Sequence, residues 1–144
     1  MATRSRTVRA AMGLHLVVPG ADVIVDAVLR YDVGDPYAVH VTFRTGPGDE
    51  GRIEWLFARH LLGAGLVSAI GEGDVRIWPS ADYADGPVYL ELCSPSGQAL
   101  FEAPRGKLVE FLFRTYELVP PGQESEFLDI DAELELLLLH DDLA

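Results

Sequence analysis

The chain has 144 residues and is 49% hydrophobic, which suits one domain with a single buried core. Its net charge of −12 argues against binding to a phosphate backbone or an anionic membrane surface, since both need Lys and Arg. One cysteine, Cys93, excludes an intrachain disulfide framework, and no apolar run reaches the roughly 18–20 residues of a membrane span.

The charge is uneven. Residues 115–144 carry nine acids and no Lys or Arg, whereas residues 1–114 hold 14 acids against 11 bases. The body is near balance and the end is an acidic block. The start MATRSRTVRA is basic, but GLHLVV is too short for the apolar core of a secretory signal. Residues 1–10 read as a flexible N-terminus, and the lone thiol fits a reducing cytoplasm.

Period-2 alternation, the mark of half-buried strands, dominates the first two thirds. In Met12 to Val18, Met12, Leu14, Leu16 and Val18 share a face, and Pro19–Asp22 reads as a turn. Val23 to Tyr31 alternates again, with Ala27, Leu29 and Tyr31 on one side and Asp26 and Arg30 on the other. Tyr37 to Arg44 places Tyr37, Val39, Val41 and Phe43 together, and Arg52 to Ala58 does the same for Ile53, Trp55 and Phe57. ARHLLGAG (58–65) predicts a short helix stopped by glycine. GEGDVRIWPS predicts one strand ended by Pro79, and PVYLELCS with QALFEA a hairpin around Pro-Ser-Gly.

Pro104 opens a helix whose stripe is Leu108, Phe111 and Leu112, widened by Val109, Phe113 and Tyr116. Pro120-Pro121-Gly122 ends it. After the polar spacer QESE, a last helix is expected over 126–139, followed by an acidic tail, 140–144. The expected fold is α+β: an antiparallel barrel or curled sheet of about seven strands, a short mid-chain helix and two C-terminal helices, in one domain over 1–144.

The chemistry-bearing residues are sparse. Asp32, Asp35 and His40 cluster in RYDVGDPYAVHVTF (30–43), where Gly34 and Pro36 make turn chemistry the simpler reading than a metal site. His15, His60 and His140 are scattered, without ligand spacing to one another or to Cys93. GEGD (71–74) lacks the Lys-Ser/Thr ending of a phosphate loop and precedes a strand, so it reads as a turn. Asp129 and Asp131 form Asp-x-Asp at a predicted helix start, where carboxylates satisfy free N–H groups. Arg30, Arg44, Arg52, Arg76 and His40, with Trp78 and Tyr89, suggest a basic patch with stacking groups. Asp26, Glu54, Asp74 and Glu91 share those faces, and cross-strand ion pairing accounts for the mixture more simply. No catalytic constellation, cofactor or metal is expected.

Four blocks carry a family resemblance: RYDVGDPYAVHVTF (30–43), IEWLFARHLL (53–62), GDVRIWPS (73–80) and the helix after EAPRGKL (102–108). Together and in this order they resemble the SsgA-like sporulation and cell-division proteins of filamentous actinobacteria, most of all the SsgB type. The resemblance spans about residues 12–140. It implies a non-enzymatic role at the septum during sporulation, with FtsZ or an SsgA-type protein as partner. It further implies a whirly-like fold and a trimer. The functional alternative, drawn from that fold, is single-stranded nucleic-acid binding. The last helix is expected to serve partner or oligomer contact. Its apolar width (Leu134, Leu137, Leu138) and its acids (Asp129, Asp131, Glu133) both exceed what a core needs.

Overall fold

The structure is a computed structural model and describes residues 6–44, 51–81 and 86–127. Among these, eight strands form one antiparallel sheet: β1 (Thr7–Val18), β2 (Ala21–Asp32), β3 (Ala38–Arg44), β4 (Arg52–Ala58), β5 (Ile70–Glu72), β6 (Val75–Pro79), β7 (Val88–Ser94) and β8 (Gly97–Ala103). The spatial order is β4-β3-β2-β1-β8-β7-β6-β5. Two four-stranded meanders therefore meet at β1 and β8, in register at His15–Glu102 and Leu16–Phe101. The sheet curls into a half-barrel around one core. Helix α1 (Arg59–Gly65) links the meanders, and α2 (Arg105–Leu118) follows β8 and packs along β1. A 3₁₀ turn, Glu124–Phe127, follows α2.

The alternation in the sequence becomes the inner face of the sheet. Met12, Leu14, Leu29, Val39, Val41 and Ile77 are all buried, each flanked by less buried neighbours pointing the other way. β1 and β2 pair without a break from Thr7–Asp32 to Val18–Ala21. Pro19 and Gly20 make the turn; Pro19 fixes its own φ, and Gly20 takes the left-handed φ of +74° that other residues avoid. α1 can approach β6 closely because Gly65 has no side chain. A Cβ there would run into Ile77. The helices close the core with Leu61, Leu62, Leu108, Phe111 and Leu112, all buried. Each such side chain contributes roughly 1.5–3 kcal/mol of burial.

Four expectations need correction. The strands number eight rather than seven, because GEGDVRIWPS holds a hairpin, β5 and β6, turned at Gly73 (φ +60°). Residues 1–10 are not all a flexible end: Thr7–Ala10 pairs with Leu29–Asp32, and Val8 is buried. Tyr37 does not join the inner face but is 48% exposed, since β3 begins one residue later. Phe113 does not reach the core either and is 63% exposed. Of the expected helix 126–139, only residues 126 and 127 are described, and they belong to the 3₁₀ turn Glu124–Phe127. The rest, with Asp129, Asp131, Glu133, Leu134, Leu137 and Leu138, lies outside the described residues.

Candidate functional site

The loop between β2 and β3 is built by its own polar groups. Asp32 accepts hydrogen bonds from the Gly34 N–H (2.7 Å) and the Thr7 hydroxyl (3.0 Å). The Gly34 N–H, above all, holds the Asp32 carboxyl below its ordinary pKa, outweighing the effect of partial burial. The Tyr31 hydroxyl, fully buried, donates to the Pro36 carbonyl (2.9 Å). Burial pushes the Tyr31 pKa up to about 12, against a smaller lowering by Arg59. Asp35 and His40 do meet, at 3.3 Å, as a half-exposed pair. The cluster is turn chemistry, and each of its acids is engaged within the loop.

The residue that organises this end of the molecule is Arg59. It starts α1, its N–H donates to the Tyr37 carbonyl (2.7 Å), and its side chain is buried. The guanidinium lies over two aromatic rings, Tyr31 (4.8 Å) and Tyr116 (5.1 Å). Its Nη1 donates to the carbonyls of Val119 (2.7 Å) and Thr115 (3.3 Å). The Val119 carbonyl lies at the C-terminal cap of α2, beyond the intrahelical ladder, while the Thr115 carbonyl also accepts the Val119 N–H (2.9 Å). Its Nη2 faces Glu124 at 3.1 Å, in the turn beyond α2. Burial alone would raise the Glu124 pKa. The backbone N–H groups of Glu124 and Gly122, together with Arg59, outweigh it and hold the carboxyl below its ordinary value. One cation thus ties together the β2–β3 loop, α1, the end of α2 and the chain's exit. Pattern reading passed over it. The available signal was a charge beside two leucines at a helix start, with an acid in the polar spacer QESE.

The other candidates do not converge. His15 lies 2.7 Å from Asp22 and 3.4 Å from Glu102, His60 is exposed, and His140 lies outside the described residues. Among the described residues no group of three His, Cys, Asp or Glu side chains has metal-holding geometry. GEGD is the β5–β6 turn. The basic set is divided. Arg30 stands opposite His40, and Arg44 opposite Asp26 and Arg52. Arg76 is on β6, four strands from β2, or roughly 19 Å along the sheet, and lies 3.8 Å from Glu91. Trp78 and Tyr89 stack on each other at 5.6 Å.

The surface carries two kinds of exposed apolar group. At the sheet end away from Arg59, Leu16, Val25, Phe43, Ile53, Trp55 and Phe101 line an open groove of about 490 Å³, with Ile53 49% exposed. On the helical side, Phe113 and Val67 stand out, at 63% and 81%. Among the described residues no helix is long and apolar enough to cross a membrane. Such a surface suits contact with protein.

Residues 25–124 match the family model described as "Streptomyces sporulation and cell division protein, SsgA". The chain belongs to the SsgA family. It is 49% identical over 139 residues to the sporulation-specific cell division protein SsgB of Frankia casuarinae, covering 96% of both chains. It is 50% identical over 133 residues to the SsgB of Streptomyces coelicolor, covering 92% of this chain and 96% of that one. The fold agrees. The crystal structure of an SsgA-like sporulation-specific cell division protein from Thermobifida fusca superposes with a TM-score of 0.81 at 48% identity, covering 94% of this chain and 98% of that one. A structure from work on SsgB mutations and longitudinal cell division in Streptomyces coelicolor gives 0.77 at 48% identity, over 85% and 95%. The family-bearing blocks RYDVGDPY and EWLFARHLL are the two that Arg59 and Tyr31 join in space.

Proposed function

We propose that the chain is an SsgB-type, non-enzymatic division protein. It helps position or activate septum formation during sporulation by recruiting FtsZ or an associated factor such as an SsgA-type protein. The observation that carries this reading is end-to-end similarity, at about half identity, to proteins named sporulation-specific cell division protein SsgB. The residues support a binding role. The polar groups of the best-built cluster, around Arg59, bind one another, and the exposed groups are apolar faces that suit protein contact. The protein acts from the cytoplasmic side of the septum, as a trimer whose repeated surfaces add avidity for a filament. The terminal segment contributes to partner or oligomer contact through Leu134, Leu137, Leu138, Asp129, Asp131 and Glu133.

Co-sedimentation with polymerised FtsZ tests the reading. The full chain should pellet with filaments and remain in solution without them. Full retention in the supernatant, with or without an added SsgA-type protein, contradicts recruitment.

A further inference from the structure

The half-barrel does not close. In the spatial order of the strands, β4 stands at one end and β5 at the other. α1 bridges these two ends, packing on β4, β5 and β6. Beside it the seam is an open cleft of about 240 Å³. Trp55, Leu56 and Phe57 of β4 form one wall, and Glu72, Asp74 and Val75 of the β5–β6 hairpin form the other.

The β4 wall carries a free strand edge. β4 pairs with β3 residue for residue, from Arg44–Arg52 to Ala38–Ala58, with no bulge. One step beyond, the Arg59 N–H donates to the Tyr37 carbonyl, which fixes the alternation of the ladder. Phe57 and Trp55 therefore direct their N–H and C=O groups at β3, and Leu56 and Glu54 direct theirs away from it. Among the described residues, the backbone groups of Leu56 and Glu54 have no hydrogen-bond partner. Exposed edges are usually blunted by Lys, Pro, a bulge or shortness. β5, with three residues, is short. β4 has seven residues and no Lys or Pro, and its Leu56 is 57% exposed.

We propose that the β4 edge takes an extended segment of a partner protein as an added strand, apolar at alternate positions and with Lys or Arg between them. The backbone of Glu54 and Leu56 supplies hydrogen bonds to an extended chain. Side chains then select which chain. Trp55, Phe57 and Val75 offer apolar contact on the inner side of the cleft. The rim is acidic. Glu54, Glu72 and Asp74 are exposed, and none belongs to an ion pair among the described residues. Lys and Arg complement such a rim, whereas a second copy of this chain would bring its own three acids to it.

The inference stands apart from the recruitment reading, since it identifies a partner by chemistry alone. The probe is the synthetic peptide TKVKVKT, capped at both ends and added at millimolar concentration to the full chain. The readout is backbone amide hydrogen exchange by NMR. In the free chain, the N–H groups of Glu54 and Leu56 should exchange at least about tenfold faster than those of Trp55 and Phe57. TKVKVKT should slow the first two several-fold, and TEVEVET should not. Glu72→Lys with Asp74→Lys, both at exposed positions, should weaken the effect of TKVKVKT several-fold. Protection of Glu54 and Leu56 in the free chain at every dilution means that the edge is already covered, and overturns the proposal. Protection that appears only as the chain is concentrated marks pairing between copies, and overturns it as well. So does no slowing by TKVKVKT, or equal slowing by TEVEVET.

Discussion

The two ends of the half-barrel are finished in opposite ways. At the β2–β3 end, Tyr31 donates to the Pro36 carbonyl, Asp32 accepts from the Gly34 N–H and the Thr7 hydroxyl, and Arg59 pairs with Glu124, so the turns there are held by side chains. At the β1–β2 end the turn is two residues, Pro19 and Gly20, and Leu16, Val25 and Ile53 open onto a groove. A buried cation is costly unless every donor is matched, so the first end tolerates little change. The second end has no such network, and its apolar groups are free to meet a partner. The difference separates residues that hold the fold together from apolar residues left exposed at its surface.

That contrast can be broken by substitution. Arg59→Met should cost most, about 3–5 kcal/mol in urea unfolding, because it leaves the Glu124 carboxylate without its counter-charge and the Val119 carbonyl without its side-chain donor. A cost below about 1 kcal/mol would mean the cation is not the tie described. Glu124→Gln should cost less, roughly 1–3 kcal/mol, since the amide oxygen still faces Arg59.

Glu124→Gln should also flatten the acid limb of stability. The Glu124 and Asp32 pKa values are lowered by folding, so their contribution is complete above the unfolded values, near 4.3 and 3.9. It is lost as pH falls through the folded values. A wild-type acid limb as flat as that of the variant would contradict the ion pair.

Tyr31→Phe should cost about 1 kcal/mol, through the lost bond to Pro36. It should also remove an alkaline loss. With the folded pKa raised to about 12, the Tyr31 contribution is complete below about 10 and declines as pH rises from there towards 12. Ile53→Asp, at the open end, should change stability by no more than about 0.5 kcal/mol. A loss of several kcal/mol there would show that the groove is covered and erase the contrast.

Much of the fold was legible because alternation has a physical cause. β1 to β4 were readable from period 2 and their turn residues, and the β7–β8 hairpin from Pro-Ser-Gly. β5 was not, because three residues, Ile70–Glu72, are too few to alternate. The start of β1 was hidden because Thr7-Val8-Arg9-Ala10 looks like a basic end, and only its partner β2 shows it to be a strand. Phe113 fitted the apolar stripe of α2, yet the helix turns it away from the core.

Asp32, Asp35 and His40 were readable as turn residues, since Gly34 and Pro36 fix the backbone around them. The role of Arg59 was not readable. Its partners Tyr31, Tyr116 and Glu124 are 28 to 65 positions away, and only the folded chain assembles them. Family membership was legible earliest, because several separated blocks agree at once.

The central claim is that this chain works in sporulation septation, and function in the cell tests it most directly. The measurement is the number of septa in sporogenic hyphae of an SsgB-deficient Streptomyces coelicolor strain expressing the full chain. The account predicts restored septa with FtsZ gathered at them. Unchanged septum counts, with the chain folded and present at the level of the native SsgB, would contradict it.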